Sequence, residues 1–421
     1  IGEVPYIPFR EWIPPTPPTK RATGSAGNAI GSKEQSLRDQ AEFVFKYSSY
    51  ADAEKEAIPH LGFEGSTDVV ELISLAVSSR HTERPMNVAV IAQSAAGKGM
   101  TIETALKMHP DEAVITMSAS SERSFVYSDK LIKNRVLYWK EADSLPDDGA
   151  AISALRAMIE DDNFTYEYVS EGLKPKTIEK EGPTGFLTSS TKPLPPQLGT
   201  RVIEVSIEES TDLTRKVISA AFAAASAPDK PNFDTKPFKA FHRMIQEYGQ
   251  KEAILPEPIA SKLASHMNNH PNLPKSMQRH VKKVIQALKT SAIREQFHRP
   301  QSDDGCLRVS KHDYEVLYRT YGPQFTRHMH GGLSDSHLQV YHYLPASDAE
   351  NGKTRKDLET ELNLPTSTVR SYVQLLLKKG YAACLDDKKR PQTFRQGEPL
   401  EREEQSVLPT PDELWGEQSE C

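Results

Sequence analysis

The chain has 421 residues, of which 37% are hydrophobic and 30 are proline, and its formal net charge is -6. This length predicts two or three domains with hydrophobic cores of their own, joined by proline-containing linkers. The mildly negative charge excludes a protein that coats nucleic acid over its whole surface, whereas a local basic face is compatible with it.

The three cysteines, Cys306, Cys384 and Cys421, are too widely spaced for a disulfide framework or a zinc site. We therefore predict a reducing compartment, the cytoplasm. No apolar run reaches the length of a membrane span and no signal-peptide pattern is present, so no membrane partner is expected. The start at Ile1 is compatible with a piece of a longer protein.

Residues 1–35 are predicted to be a flexible N-terminal segment rich in proline and glycine. The run Pro14-Pro15-Thr16-Pro17-Pro18 favours extended polyproline geometry, and residues 24–31 are small and glycine-rich. This composition is typical of a tether, and a docking motif is the alternative.

Residues 36–210 alternate between helices and short apolar strands, which indicates a parallel sheet covered by helices on both faces. This is the pattern of an α/β fold. Strands are predicted at residues 88–92, 113–117, 135–139, 184–189 and 202–207, and helices at residues 68–80, 101–108 and 150–160. Residues 164–168 and 176–179 are predicted to form a β-hairpin inserted into this domain.

The segment from Asn87 to Thr101 carries the strongest functional signal. It predicts a strand, a tight loop of small residues, the pair Gly97-Lys98 and a helix, which is the frame of a phosphate-binding loop. Small residues let backbone N–H groups turn toward a phosphate, and the lysine adds a positive charge. The residues predicted to bind a nucleoside triphosphate are Ser94, Ala95, Ala96, Gly97, Lys98, Gly99, Met100 and Thr101.

Nucleotide hydrolysis also needs a carboxylate that orients water, a polar group near the γ-phosphate and a positive charge for the transition state. Glu141 follows the apolar strand at residues 135–139. Thr188 and Ser189 end the fourth strand, and Arg201 directly precedes the fifth. The order of these residues along the chain predicts a nucleoside triphosphatase.

Residues 211–332 are predicted to be a helical lid and its extension, because their apolar residues recur with helical period. Helices are predicted at residues 214–225, 236–248, 258–266 and 277–297, and a joint between domains at Gly331-Gly332.

His328 and His330 lack a third ligand close in sequence, so no metal site is predicted there.

Residues 333–397 are predicted to form a small winged helix-turn-helix domain. Its third helix is predicted to be capped by Thr366 or Ser367 and stopped by Gly380. Residues 398–421 are acidic and are predicted to be a disordered tail. Within the small domain, helices are predicted at residues 337–344, 354–362 and 366–379, and a hairpin at residues 381–385 and 392–395.

Several of these motifs resemble the AAA+ ATPases, and among them a group attached to phage-type and mobile-element primases and helicases. The resemblance extends from about residue 60 to about residue 300. It implies an α/β fold in which a parallel-sheet P-loop AAA+ core with a helical lid precedes the winged helix-turn-helix. The stretches that carry it are Ser79-Arg80, Arg84-Pro85, Gln93-Ser94-Ala95-Ala96-Gly97-Lys98, Ser121-Glu122-Arg123, Tyr127-Ser128-Asp129, Glu179-Lys180-Glu181-Gly182-Pro183-Thr184-Gly185 and Thr188-Ser189-Ser190-Thr191.

The resemblance also implies roles for single residues around ATP. Gly97 and Lys98 would bind the phosphates, and Glu141 would be the Walker B glutamate. Thr188 or Ser189 would be sensor 1, the polar residue that faces the γ-phosphate.

Two arginines would complete the site in an oligomer. Arg201 would be the arginine finger, acting on the nucleotide of a neighbouring subunit in a homo-oligomeric ring, which is expected to be a hexamer. Arg279 is similar to the lid arginine of minichromosome-maintenance-type helicases, and Arg215 is the competing candidate for that role.

Three positions depart from the usual pattern. Ala92 replaces the first glycine, Gly99 stands where a Mg²⁺-binding hydroxyl is expected, and Lys140 stands where many relatives carry the Walker B aspartate. A lysine at this position disfavours Mg²⁺ by its charge, and only Thr101 or Asp143 could compensate. Slow hydrolysis, or nucleotide binding without turnover, therefore stays open.

The predicted winged helix-turn-helix carries donors and cations suited to DNA. Asp357, Glu359 and Glu361 on the preceding helix argue against DNA, and winged helices also serve as protein-docking modules. The candidate DNA-binding residues are Thr366, Ser367, Thr368, Arg370, Ser371, Gln374 and Lys378 on the recognition helix, and Lys388, Lys389 and Arg390 at the wing tip.

Together these features predict an ATP-dependent DNA helicase or replication-associated motor of a phage or integrated mobile element, with ATP and Mg²⁺ as cofactors. The expected partners are DNA, the other subunits of the ring, and a primase or polymerase domain or protein. Two alternatives stay open: an ATP-dependent regulator that reads a DNA site, and a DNA-binding scaffold without hydrolysis.

Overall fold

The computed structural model divides the chain into two compact units. The first unit contains the chain up to Tyr321 and again from Thr410 onward, and the second contains Gly322–Pro409. The described residues are 26–93, 96–117, 131–144, 150–160, 163–169, 175–192, 194, 196–207, 210–226, 233–269, 277–300, 302, 304–329, 335–362, 364–385, 391–398 and 407–416.

Helices dominate the described residues, and ten strands accompany them. The helices are α1 (Ala26–Gln40), α2 (Glu42–Phe45), α3 (Tyr50–His60), α4 (Thr67–Ser78), α5 (Lys98–Lys107), α6 (Ala150–Glu160), α7 (Pro196–Gly199), α8 (Thr211–Ser226), α9 (Lys236–Tyr248), α10 (Glu257–Asn268), α11 (Met277–Glu295), α12 (Lys311–Thr320), α13 (Gly322–Met329), α14 (Asp335–Tyr343), α15 (Arg355–Leu362), α16 (Thr366–Lys379) and α17 (Pro411–Trp415). The strands are β1 (Val88–Ile91), β2 (Val114–Met117), β3 (Arg135–Trp139), β4 (Asn163–Val169), β5 (Pro175–Glu181), β6 (Thr184–Ser190), β7 (Ile203–Ser206), β8 (Lys353–Thr354), β9 (Ala382–Cys384) and β10 (Thr393–Gln396).

The centre of the first unit is a parallel sheet, which confirms the predicted α/β core. Its described strands have the order β2-β3-β6-β1-β7, and every neighbouring pair is parallel. Strands β1, β3 and β6 are short and almost wholly buried, as expected when helices cover both faces of a sheet. Because all strands point the same way, the loops that follow β1, β3 and β6 meet at one edge, the carboxyl edge. The strands begin at the opposite, amino edge.

A separate two-stranded ribbon follows α6. Strands β4 and β5 pair antiparallel along their whole length, from Asn163 opposite Glu181 to Val169 opposite Pro175. The predicted hairpin is therefore confirmed and is longer than its apolar pattern indicated.

Helices α1 to α3 and α9 to α11 contain a buried network of aromatic and charged side chains. The hydroxyl of Tyr50 on α3 lies 2.8 Å from Nε2 of His242 on α9. Glu54 of α3 and Arg294 of α11 form an ion pair of 3.0 Å from which solvent is fully excluded.

The prediction that residues 1–35 form a flexible N-terminal segment is wrong for residues 26–35, since these residues belong to helix α1.

The four helices predicted for the lid are confirmed as α8 to α11, with ends that differ by a few residues. Helix α8 is exposed along nearly its whole length. The predicted joint after residue 332 differs from the structure, in which the second unit begins at Gly322 and includes α13.

The second unit contains a three-stranded antiparallel sheet of order β8-β10-β9, beside helices α14 to α16. Strand β8 is too short to have been recognised in the sequence. Pro365 precedes the first residue of α16 and no side chain caps it, so the predicted cap at Thr366 or Ser367 is wrong. Gly380 ends the helix in the left-handed conformation (φ 82°), as predicted.

The C-terminal tail returns to the first unit. Trp415 of α17 packs on Tyr314 of α12, with ring centroids 5.3 Å apart, and Lys262 of α10 donates to the carbonyl of Leu414 at 3.1 Å. The predicted disorder of residues 398–421 is therefore wrong for residues 407–416. None of the described helices is long and apolar enough to cross a membrane.

Candidate functional site

The loop between β1 and α5 begins at the carboxyl edge of the sheet, where β1 lies between β6 and β7. Gly97 adopts a positive φ of 83°, a conformation that residues with a Cβ rarely adopt, and α5 begins at the next residue. The backbone N–H and the hydroxyl of Thr101 both bond to the carbonyl of Gly97, at 2.9 and 3.0 Å. The candidate binding residues Ser94 and Ala95 lie outside the described residues.

Lys98 is folded back over the start of this loop. Its ammonium donates to the carbonyl oxygens of Ala92 at 2.7 Å and Gln93 at 2.6 Å. The side chain is half-buried, while Gly97, Gly99 and Met100 are exposed. A phosphate at this loop would compete with the two carbonyls for the ammonium.

Strand β6 ends beside the loop and brings a polar cluster with it. Ser190 lies next to Ile91 in the sheet, and its carbonyl accepts from the backbone N–H of Ala92 at 3.2 Å. The carboxylate of Asp143 accepts from the hydroxyl of Ser190 at 2.9 Å and from the backbone N–H of Thr191 at 2.9 Å. Burial raises the pKa of Asp143, but these hydrogen bonds outweigh it and keep that pKa below its usual value.

The hydroxyls of the two predicted sensor residues form hydrogen bonds within the sheet. Thr188 is fully buried and its hydroxyl donates to the carbonyl of Trp139 at 2.7 Å. The hydroxyl of Ser189 donates to the carbonyl of Lys140. Both bonds tie β6 to the end of β3. Sequence reasoning missed Ser190 as a site residue, and its only signal was its place within the run of hydroxyl residues Thr188-Ser189-Ser190-Thr191.

Glu141 lies directly after β3 at the carboxyl edge, with its side chain exposed. The ammonium of the neighbouring Lys140 lies 3.8 Å from the carboxylate of Glu103 on α5. Burial raises the pKa of Tyr138 to about 12, with contributions from Glu103 and Glu141. Glu103 is a second site residue that the sequence did not reveal, and it offsets part of the positive charge of Lys140.

A mostly apolar cavity of about 220 Å³ lies beside Thr101. It is formed by the loop before α4, by α5, by the loop after β7 and by the first turn of α8. It therefore lies at the carboxyl edge, as the Lys98 loop does. Its lining residues are Phe63, Glu64, Gly65, Ser66, Val69, Thr101, Ile207, Ser210 and Leu213.

Arg201 lies at the other edge of the sheet. Ile203 pairs with Val88 at the start of β1, and Arg201 precedes Ile203 by two residues. The four residues of β1 span roughly 13 Å, so Arg201 is separated from the Lys98 loop of its own chain by at least the length of that strand.

The two candidates for the lid arginine lie in different places. The guanidinium of Arg279 donates to the hydroxyl of Thr200 at 2.7 Å, which brings Arg279 close to Arg201. Arg215 lies on the exposed helix α8 and pairs with Asp212 at 2.9 Å. The structure therefore joins Arg201 to Arg279 and separates both from Lys98, Glu141 and Asp143.

In the second unit, the candidate DNA-binding residues of α16 share an exposed face. The opposite face is buried through Val369, Val373 and Leu376, while Thr368 is half-buried. Among the acidic residues of α15, Asp357 accepts from Thr354 at 2.8 Å. The exposed candidates are Thr366, Ser367, Arg370, Ser371, Gln374 and Lys378, and Lys388, Lys389 and Arg390 lie outside the described residues.

Residues 57–244 match a family model described as the MTBMA_p00010 P-loop domain. The match supports a P-loop domain that binds nucleotide. It runs from α3 into α9 and therefore includes the whole sheet, the Lys98 loop and α8, but neither α11 nor the second unit. No curated protein matches the chain. Within the described part of the chain, no group of three or more His, Cys, Asp or Glu side chains could hold a metal ion on its own.

Proposed function

We propose that this protein is an AAA+ ATPase that acts as a DNA helicase or replication-associated motor of a phage or integrated mobile element. The observation that carries the proposal is the loop from β1 to α5, in which a positive-φ glycine and a lysine open a helix at the carboxyl edge of a parallel sheet. The family match over residues 57–244 supports the nucleotide-binding part.

Nucleotide binding follows from the chemistry of the loop. The first N–H groups of α5 have no partner within the helix and favour an anion at its start. Lys98 would exchange its bonds to the carbonyls of Ala92 and Gln93 for bonds to the phosphates. The apolar cavity beside Thr101 is adjacent and would take the nucleotide base.

The residues for hydrolysis lie across the carboxyl edge from this loop. Glu141 is exposed and would orient the attacking water, and the cluster of Asp143, Ser190 and Thr191 offers polar groups beside the loop. The donor set fits Mg²⁺ held mainly by the phosphates, with Glu141 or Asp143 as the protein carboxylate. That ion, when bound, would neutralise charge developing on the transferred phosphate.

An oligomer is part of the proposal, because Arg201 and Arg279 lie at the wrong edge to reach the nucleotide of their own chain. In a ring, expected to be a hexamer, they would act on the nucleotide of the neighbour. Helix α8 supports association, since Val217, Ile218 and Phe222 are 50%, 51% and 75% exposed.

The second unit would contact DNA as a winged helix. Its order of helix, short strand, two helices and a hairpin supports this interpretation, as does the exposed polar face of α16. Arg370 and Gln374 would face base edges, while Ser367 at the helix start would meet a phosphate.

An ATPase assay with and without single-stranded DNA tests the proposal. We expect turnover that DNA stimulates and that Lys98→Ala abolishes. Glu141→Gln should retain ATP binding and lose turnover. Absence of ATP binding by the wild-type chain would contradict the nucleotide site itself, and turnover that is indifferent to DNA would contradict the motor.

A second candidate function is an ATP-binding regulator or scaffold with little or no hydrolysis. It is favoured by Gly99 and Lys140, which replace the groups that usually hold Mg²⁺. Binding of ATP with the same affinity in the presence and absence of Mg²⁺, without turnover, would support this alternative over the motor.

A further inference from the structure

Lys140 brings a positive charge to the place where P-loop proteins usually hold a metal ion. In the usual arrangement, a hydroxyl in the first turn of the loop helix and an aspartate at the end of the Walker B strand hold Mg²⁺. Gly99 and Lys140 stand at these two positions, and neither carries a side-chain oxygen. The protein's usual contribution to the metal site is therefore replaced by a cation of the protein itself.

The backbone of Lys140 is fixed at the carboxyl edge of the sheet. Its N–H donates to the carbonyl of Met117 at the end of β2 at 3.0 Å, and its carbonyl accepts from the hydroxyl of Ser189 on β6. A lysine carries its ammonium on a flexible stem. Lys140 can therefore move its charge over the edge of the sheet while the strand ends stay in place.

The partner of this ammonium is a carboxylate one helical turn after Gly99. Glu103 follows Gly99 by four residues on α5, so the two residues share a face of the helix. The ammonium of Lys140 lies 3.8 Å from the carboxylate of Glu103, and the two side chains are 43% and 55% exposed. An ion pair this long and this exposed contributes under about 1 kcal/mol. A phosphate group can therefore displace Glu103 at little cost.

Two carboxylates lie near the end of β3. Burial raises the pKa of Tyr138 to about 12, and Glu103 and Glu141 both add to this shift, which places both close to this tyrosine of β3. Their negative charges would repel the phosphates of a nucleotide bound at the Lys98 loop. Lys140 is placed to offset that repulsion.

The order of the strands brings Lys140 within reach of the Lys98 loop. Strands β1 and β3 flank β6, so their ends are separated by two strand spacings, about 10 Å. Phosphates that extend from the loop and the stem of Lys140 approach each other across this gap. The gap is therefore suited to the terminal phosphate of a bound nucleotide.

We propose that Lys140 leaves Glu103 when nucleotide binds and pairs with the terminal phosphate of a nucleoside triphosphate, where it supplies charge that Mg²⁺ held by the protein would otherwise supply. This role rests on the proposed function, which places the terminal phosphate beside Glu141 at the end of β3. A Mg²⁺ ion carried by the phosphates is compatible with it, because such an ion needs no ligand from Gly99 or Lys140. Lys140 would act in this way in a motor and in a regulator alike.

The first test measures equilibrium binding of a fluorescent ATP analogue to the full-length chain, once with Mg²⁺ and once with EDTA. The affinity of the wild type should be nearly the same in the two buffers. Lys140→Met should bind at least about tenfold more weakly in EDTA, because the phosphates lose a charge-assisted hydrogen bond. Lys107→Met, which changes an exposed lysine at the other end of α5, is the matched control and should bind as the wild type does.

A second test restores the usual pair of metal-binding groups. Gly99→Ser with Lys140→Asp supplies the hydroxyl and the carboxylate, and a Cβ at Gly99 meets open space. This double variant should bind the ATP analogue with Mg²⁺ and lose at least about tenfold in affinity in EDTA. Equal affinity of the double variant in the two buffers would contradict the exchange of a metal ion for Lys140.

A comparison of ATP with ADP separates a contact to the terminal phosphate from a general disturbance of the loop. Lys140→Met should weaken the binding of ATP in EDTA and leave that of ADP almost unchanged, whereas a structural role would weaken both. Glu103→Gln should retain ATP binding in both buffers, because it removes only the group that the phosphate displaces.

The role of Lys140 is excluded, and the nucleotide site stands, if the wild type binds ATP only with Mg²⁺. The same holds if Lys140→Met and Lys107→Met bind equally in EDTA, if Lys140→Met weakens ATP and ADP equally, or if Glu103→Gln loses ATP binding. No binding by the wild type in either buffer, or binding by Lys98→Ala as tight as that of the wild type, would instead contradict the proposed function and the role of Lys140 with it.

Discussion

Thr188 and Ser190 lie two residues apart on β6, yet their hydroxyls meet different surroundings. The hydroxyl of Thr188 is buried against the carbonyl of Trp139, whereas that of Ser190 contacts Asp143 at the end of the strand. Because Ser190 lies beside Ile91 and the start of the Lys98 loop, we expect Ser190, and not Thr188, to be the hydroxyl residue nearer to a phosphate bound there.

Thr188→Val should therefore destabilise the first unit and leave ATP affinity unchanged. The substitution keeps the shape of the side chain and removes one buried hydrogen bond, at a cost of about 1 kcal/mol. Urea unfolding and titration with a fluorescent ATP analogue measure the two effects. Ser190→Ala is the comparison: it should clearly reduce ATP turnover and change the free energy of unfolding only slightly. Loss of ATP binding by Thr188→Val at normal stability would contradict this assignment.

His109 and His242 form a buried pair of imidazole rings in the first unit. The rings of His109 and His242 stack with centroids 4.0 Å apart, and His109 bonds to the hydroxyl of Ser74 at 2.9 Å. Burial holds the pKa of both imidazoles well below the ordinary value near 6.5; His109 and Arg80 lower the pKa of His242 further, and Arg80 lowers that of His109. The folded chain therefore keeps both rings neutral.

Stability should fall as the pH drops from 7 to 5.5, because the unfolded chain takes up protons on these histidines near pH 6.5 while the folded chain does not. Above about pH 7.5 both states hold neutral rings and the effect is absent. The variant His109→Gln with His242→Gln should lose about 2–3 kcal/mol less than the wild type over this range, roughly 1.2 kcal/mol for each histidine. Urea unfolding at the two pH values measures it, with the exposed His60→Gln as control. Equal losses in all three chains would contradict the prediction.

At the scale of elements, the turn from β1 into α5 depends on the backbone of Gly97. Its φ of 83° permits the sharp entry into the helix, and Thr101 then bonds to the Gly97 carbonyl. Gly99 also lacks a side chain, but it lies in the first turn of α5 with open space where a Cβ would be.

Gly97→Ala should cost about 1 kcal/mol of strain and reduce ATP affinity, because a Cβ disfavours the left-handed conformation. Gly99→Ala is the matched control, since it fits without a clash and improves the helix. Equilibrium binding of a fluorescent ATP analogue measures both variants. If they weaken binding equally, the backbone conformation of Gly97 is not what shapes the loop.

Helix α8 is the most exposed long apolar element among the described residues of the first unit. Phe222 is 75% exposed, and Val217 and Ile218 are half exposed. Its first turn also lines the cavity beside Thr101 through Leu213. A subunit that covered α8 would therefore lie close to the proposed nucleotide site.

Phe222→Ser should shift the protein toward monomers, because it removes the largest exposed apolar side chain of this helix. Sedimentation velocity with a non-hydrolysable ATP analogue measures the oligomeric state. Lys216→Ser on the same helix is the control and should leave the oligomer intact. A Phe222→Ser chain that assembles as the wild type does would exclude α8 from the interface.

At the scale of the whole molecule, the chain leaves the first unit at Tyr321 and comes back at Thr410. Thr410 and Glu413 form a reciprocal cap at the start of α17, and Leu414 is 2% exposed. Lys311 on α12 pairs with Asp412 at 2.7 Å. Residues 410–416 therefore pack on the first unit, with Leu414 in its core.

Leu414→Ala with Trp415→Ala should release α17 and loosen α10 and α12, because it removes the buried contacts of the tail. Hydrogen exchange should rise in those two helices and stay unchanged in the sheet. Asp412→Asn is the control, since the exposed ion pair that it removes contributes under about 1 kcal/mol. Unchanged exchange in α10 and α12 would show that the tail contributes nothing to their stability.

The elements that the sequence predicted best are those whose pattern is local. Strand β3 and helix α6 were predicted with their observed ends, because a run of apolar residues and a helical period are visible within a few residues. The strand β8 and the helix α17 were missed, since each is short and packs on residues far along the chain. The cap of α16 was predicted wrongly because Pro365 precedes the helix and no side chain caps it.

The parallel α/β core and the frame of the Lys98 loop could be predicted from neighbouring residues, because strand and helix periods and the Gly97-Lys98 pair are local patterns. The tertiary contacts could not be predicted: Arg279 lies beside Thr200 at the amino edge, Glu103 approaches Lys140, and the tail packs on α12. Those contacts join residues whose distance is set by the register of strands and the packing of helices, and a linear pattern does not encode that distance.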